Sequence, residues 1–264
     1  LDLAGKNVVL TGASKGIGRE LLHLLLDEGA NVLGVSRSIE KDSTLSHERL
    51  KVKNADLSRP EEVDAVFAHA IATFGRIDVF VANAGFTYYE LLERADWEHI
   101  RSIMDVNATS VIYSAVKMRE LYPSAPFVFM ATLSAVSFLS LPGYGLYSAT
   151  KAALRGFFDA FEHELSANQK LLRVYPVSTE TAFFEEANQK NPPPPVQPAS
   201  HVAEKMLVGL KKEKTHIYPS RLFKWIYRLF PRAYGPYLKK RRKELFAALG
   251  IPLGETDERK DGRP

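Results

Sequence analysis

Nothing in this chain narrows its fold as sharply as the stretch from Asn7 to Ser36. Asn7-Val8-Val9-Leu10 is a short apolar run that ends in Thr11-Gly12-Ala13-Ser14-Lys15-Gly16-Ile17-Gly18. A helical pattern follows, with Ile17, Leu21, Leu24 and Leu25 at helical spacing and Gly29 as a stop. Asn31 to Ser36 reads as the next strand, which completes a βαβ unit of the expected length. A strand, a glycine-rich turn and a helix together make an anion site. Glycines let the backbone approach a phosphate, and the helix N-terminus offers unpaired N–H groups and a positive dipole end.

The alternation continues along the chain. Strands are expected at about 7–11, 31–36, 51–55, 77–82, 126–132, 171–175 and 214–218, with helices between them. This pattern predicts an α/β fold with a parallel sheet covered on both faces, and ligands at the carboxyl ends of its strands. A chain of 264 residues, 45% hydrophobic and 25% charged, suits one such domain with a full core. Zero cysteines exclude disulfides and fit a reducing, cytoplasmic setting. The histidines show no ligand spacing, so a bound metal is not expected. Neither a signal peptide nor a membrane-length apolar run is visible, although the start at Leu1 leaves room for an upstream piece.

A second feature is Tyr147-Ser148-Ala149-Thr150-Lys151, which on a helix sets a phenol and an ammonium on one face. A nearby cation favours the phenolate, so the pair is a candidate proton donor or acceptor. Tyr144 has Ser148 four residues on and lacks the cation, which makes it the worse candidate.

The glycine-rich turn, Asn83-Ala84-Gly85 and the Tyr147/Lys151 pair together resemble the short-chain dehydrogenase/reductase family, from about Asp2 to His216. The resemblance implies a single Rossmann-type, doubly wound domain with about seven parallel strands. It also implies a catalytic tetrad of Asn107, Ser134, Tyr147 and Lys151. Ser134 would polarise a substrate carbonyl, Tyr147 would protonate its oxygen, and Lys151 would lower the tyrosine pKa and hold a ribose. Asn107 would organise a water that links Lys151 to solvent.

The cofactor set implied is Gly12, Ser14, Lys15, Gly16, Ile17, Gly18, Ser36, Arg37, Asp56, Leu57, Asn83, Ala84, Gly85, Tyr147, Lys151, Pro176 and Thr181. Asp56 would meet the adenine amino group and Thr181 the nicotinamide carboxamide. The chain departs from the family pattern at Ala82, Val177 and Thr179, and β-branched Val177 replaces a glycine near the carboxamide.

Ser36-Arg37 ends the second strand where an acidic residue would grip a ribose diol, and Lys15 adds a second cation. A hydroxyl with two cations suits a phosphate, so NADP(H) is expected over NAD(H).

Three segments are expected. Residues 1–218 form the catalytic domain with a substrate lid at about 181–200, residues 219–250 a basic helical extension, and residues 251–264 a disordered tail. Between Pro219 and Leu249 nine Lys and Arg residues stand against Glu244 alone. Leu222, Phe223, Ile226, Leu229 and Phe230 follow helical spacing, and a second basic helix starts near Tyr234. Such a segment either lies on an anionic membrane surface or packs on the protein as a pocket wall or oligomer contact. No nucleic-acid recognition motif accompanies the charge.

The expected function is ketone–alcohol interconversion on a bulky lipophilic substrate, such as a keto-lipid or steroid, by a homo-oligomer. The rival reading is a non-enzymatic nucleotide-binding scaffold on the same fold.

Overall fold

Val8, Val9 and Leu10 are wholly buried, and their alternate side chains serve two different cores. Val9 joins Leu33, Val35, Phe80 and Phe129 on one face of the sheet, whereas Val8 and Leu10 join Val32, Val79, Val81 and Met130 on the other. Strands buried on both faces in this way read as continuous apolar runs. The structure, a computed structural model, describes residues 1–187, 189, 192–220 and 235–250.

The strands are β1 (Asn7–Thr11), β2 (Asn31–Ser36), β3 (Leu50–Asn54), β4 (Val79–Ala82), β5 (Phe127–Thr132), β6 (Gln169–Val174) and, at the far edge, His216–Ile217. They form a seven-stranded sheet in which the order runs β3-β2-β1-β4-β5-β6 and then His216–Ile217, every pairing parallel. The chain leaves β1 toward β2 on one side and reaches β4 on the other. A crevice therefore opens at the carboxyl ends of β1 and β4.

Helices α1 (Gly16–Asp27), α2 (Pro60–Phe74), α3 (Trp97–Met104), α4 (Ser110–Leu121) and α5 (Gly145–Phe161) alternate with these strands. Phe67 of α2 stacks on Phe80 at 5.0 Å, and Phe80 stacks on Phe129 at 5.4 Å, which ties α2 to β4 and β5. Between α3 and α4 the helix widens into a π-turn over Asp105–Thr109, where the Ser110 N–H donates to the Asp105 carbonyl. Single π-turns of this kind often accompany functional sites.

Beyond β6 the chain makes β7 (Ser178–Glu180), the short helix α6 (Ala182–Glu185), β8 (Val196–Pro198) and α7 (Ala199–Lys211), with β9 being the edge strand His216–Ile217. β7 and β8 pair in parallel as a separate two-stranded sheet. Three-residue strands flanked by prolines carry no periodic signal, so the sequence did not reveal this pairing.

Helix α8 (Gly235–Ala248) matches the second basic helix. Its Tyr237, Arg241 and Leu245, four residues apart, face the domain, and Arg241 and Leu245 are buried. Lys239, Lys240 and Lys243 face outward. The apolar stripe Leu222–Phe230 and the tail 251–264 lie outside the described residues.

Candidate active site

The glycine turn is shaped by close approach. Gly12 and Gly16 take φ of +68° and +56°, and a Cβ on Gly12 would lie 2.9 Å from the Ala84 Cα. A Cβ on Gly18 would lie 2.0 Å from the Gly12 carbonyl oxygen, which no side chain can occupy. Helix α1 starts at Gly16 without a side-chain cap on its first N–H groups. Such a cradle fits a nucleotide phosphate. Ser14, Lys15 and Ile17 line the same cavity.

Asn83, Ala84 and Gly85 close the crevice from the β4 side. Thr11 Oγ1 accepts the backbone N–H groups of Asn83 at 3.0 Å and Ala84 at 3.1 Å, and donates to the Val81 carbonyl at 3.3 Å. The Asn83 carboxamide donates to the Thr11 carbonyl at 3.3 Å and accepts from Thr132 Oγ1 at 3.1 Å. Its side chain thus fastens three strand ends together.

Ser36, Arg37, Asp56 and Leu57 form the far wall of the cavity. The Ser58 N–H and hydroxyl, at 3.0 and 2.8 Å, hold the Asp56 carboxyl below the usual range, with Arg37 and Arg59 adding to the effect.

At the other end lie Ser134, Tyr147 and Lys151. Ser134 follows β5 and caps a short 3-10 turn, accepting from the Val136 N–H at 3.3 Å. Its hydroxyl hydrogen-bonds the Tyr147 phenol. Lys151, buried on α5, donates to the Thr132 carbonyl at 2.8 Å and lies 5.6 Å from the Tyr147 ring centroid.

Burial acts on these two groups in opposite senses. It pushes the Tyr147 phenol up to about 12, against a smaller lowering by Ser134, and brings the Lys151 ammonium down to about 8. The ammonium donates to a carbonyl, and loss of solvent is the largest cause of both shifts. The phenol holds its proton at neutral pH, as an acid must.

Asn107 is the remaining tetrad candidate. It sits in the π-turn, wholly buried, with its carboxamide donating 2.7 Å to the Phe86 carbonyl and accepting 3.0 Å from the Phe86 N–H. The side chain is thereby committed to the loop after β4. A Cβ on Gly85 would lie 3.1 Å from Asn107 Oδ1 and 3.8 Å from Lys151 Nζ, so Gly85 separates the two.

One cavity of about 640 Å³ runs from Arg37 past the glycine turn to Ser134 and Tyr147, and includes Pro176 and Thr181. Thr181 Oγ1 accepts from the Phe183 N–H at 3.3 Å and so caps α6. Phe183 and Phe184 of α6 meet Tyr147 and Tyr144 edge-on, at 5.5 and 6.4 Å. Lys15, expected to face a phosphate, is ion-paired with Glu186 at the end of α6. Tyr237 of α8 completes the cavity wall, its hydroxyl donating to the Pro194 carbonyl at 3.3 Å.

Sequence reasoning missed Thr11, Glu186 and Tyr237. Thr11 carried a usable signal, a hydroxyl at the last position of the first strand, whereas the other two come from segments with no motif.

The family model for short chain dehydrogenases matches residues 6–192. An uncharacterised oxidoreductase of Staphylococcus saprophyticus is 30% identical over 198 residues, covering 72% of this chain and 80% of that one. A 3-ketodihydrosphingosine reductase of Yarrowia lipolytica is 28% identical over 214 residues, covering 73% of this chain and 56% of the relative. Among solved structures, an alcohol dehydrogenase of the archaeon Thermococcus sibiricus, complexed with 5-hydroxy-NADP, superposes with a TM-score of 0.70. It is 25% identical, and the match covers 81% of this chain and 94% of that one. The chain belongs to the short-chain dehydrogenase family, and it is an oxidoreductase acting on alcohol and ketone groups.

Proposed function

We propose that this protein is an NADP(H)-dependent reductase that interconverts a ketone and a secondary alcohol on a bulky lipophilic substrate. One observation carries the reading: Ser134, Tyr147 and Lys151 converge at one end of a cavity whose other end holds Arg37. In the reductive direction Ser134 hydrogen-bonds the carbonyl oxygen and polarises it. Tyr147, protonated at neutral pH, gives its proton to that oxygen. Lys151 places a positive charge beside the phenol and favours its loss of the proton. Asn107 holds the Phe86 loop against the π-turn and so fixes the wall between Gly85 and Lys151. The bound nicotinamide supplies the hydride.

The choice of NADP(H) is supported by Ser36 and Arg37 at the end of β2, with no acidic residue at that position, and by the glycine-turn cation Lys15. Similarity to the Thermococcus enzyme complexed with 5-hydroxy-NADP points the same way. A lipophilic substrate is supported by Leu139, Leu141, Phe183 and Phe184 on the cavity wall, and by the Yarrowia relative. The outward lysines of α8 would allow peripheral contact with an anionic membrane. Among the described residues no helix is long and apolar enough to cross one. A non-catalytic scaffold would not need the phenol, hydroxyl and ammonium gathered at one point.

The test is NADPH oxidation, followed by absorbance, across a panel that includes long-chain keto-lipids and ketosteroids. Tyr147→Phe should abolish turnover while nucleotide binding persists. Turnover retained in that variant would remove Tyr147 as the acid.

A further inference from the structure

The ion pair between Lys15 and Glu186 joins the residue before α1 to the residue after α6. Both line the cavity. A second contact lies beside it: a Cβ on Gly16 would be 2.8 Å from Thr181 Cγ2. The segment over the site is therefore fastened to the glycine turn twice, once by packing and once by charge. The Lys15 and Glu186 side chains are 53% and 52% exposed, so the charged fastening is weak and exchangeable.

We propose that Glu186 is a specificity-determining residue of the nucleotide site, competing with the 2′-phosphate of the cofactor for Lys15. The inference rests on the reading of the cofactor as NADP(H). A phosphate monoester carries nearly two negative charges at neutral pH, whereas the carboxylate carries one. Lys15 exchanges Glu186 for the phosphate, and the released carboxylate then faces an anion of like charge. A nucleotide without the 2′-phosphate leaves the pair in place. Glu186 thus weakens binding of the 2′-phosphorylated nucleotide alone. The same exchange removes the charged fastening between α6 and the glycine turn and leaves the packing of Thr181 on Gly16 in place.

The test uses binding rather than turnover: calorimetric titration of 2′,5′-ADP and 5′-AMP, repeated with NADPH and NADH. Glu186→Gln should tighten 2′,5′-ADP about three- to fivefold and leave 5′-AMP unchanged. In a Lys15→Met background the same substitution should have no effect, because the shared partner is gone. Equal tightening of both nucleotides, no tightening of either, or the same gain without Lys15 would each overturn the competition. If the unsubstituted protein binds 2′,5′-ADP no better than 5′-AMP, the NADP(H) reading falls and the inference with it. That outcome is read before any substitution is made, so the two failures are distinct.

Discussion

Asn107 uses both ends of its carboxamide on Phe86, donating 2.7 Å to the backbone carbonyl and accepting 3.0 Å from the backbone N–H. A buried side chain thereby replaces the strand partner that the loop after β4 lacks. Asn107→Ala would strand both backbone groups in the interior. The expected cost is about 2–4 kcal/mol, read as a lower urea midpoint. Turnover should fall as the loop beside Gly85 loosens.

Lys151 predicts a pH profile. Its ammonium is charged at pH 7 and titrates near 8. Reductive turnover should therefore decline as pH rises through about 8, while Tyr147, at about 12, stays protonated throughout. Lys151→Arg, cationic over the whole range, should remove the decline in whatever activity it retains. A wild-type rate flat from pH 6 to pH 10 would separate Lys151 from the proton step.

The same burial predicts a stability effect of opposite sign to the activity. Lys151 titrates near 8 folded and at its ordinary 10.5 unfolded. Between those values the unfolded chain binds more protons, so stability rises with pH across that window, and below it the penalty is fully present. Lys151→Met should stabilise the fold at pH 7 by roughly 1–3 kcal/mol, the lost bond to Thr132 offsetting part of the gain. The difference should vanish above the upper value. Urea unfolding at the two ends of the window reads both.

Arg37→Asp should weaken NADPH about tenfold or more relative to NADH, measured by nucleotide fluorescence titration. An unchanged ratio would remove Arg37 from phosphate recognition.

Truncation after Ser220 removes Tyr237 from the cavity wall. KM for bulky ketones should rise while NADPH affinity holds, because Arg37 and the glycine turn lie at the other end of the cavity. Sedimentation with anionic vesicles tests the outward lysines in the same pair of proteins. Equal vesicle binding with and without the segment would exclude it as the membrane contact.

The sheet was legible because its central strands carry apolar runs and the longer helices their own period. The expected ranges differ from the observed strands by only a few residues, as β6 at 169–174 against 171–175 shows. The glycine turn was legible because the spacing encodes a steric demand: Gly18 has no room for a Cβ. What the sequence hid was the use to which side chains are put. Asn83 and Asn107 stood out as site residues, whereas the groups their carboxamides hold, on Thr11, Thr132 and Phe86, did not. Partners of that kind are chosen by tertiary contact, which no local pattern records. The pairing of Lys15 with Glu186 spans 171 positions and was invisible for the same reason.

Helix α8 has a consequence for the order in which the molecule is finished. Chains are made from the N-terminus, and early elements can fold while later ones are still being synthesised. The phosphate cradle comes from residues 12–18, whereas Tyr237 reaches the cavity wall from near the other end. A nascent chain could therefore hold a nucleotide before its substrate compartment has a complete side. Cofactor would arrive first by timing, and a ligand of the compartment would find it whole only after α8 has docked.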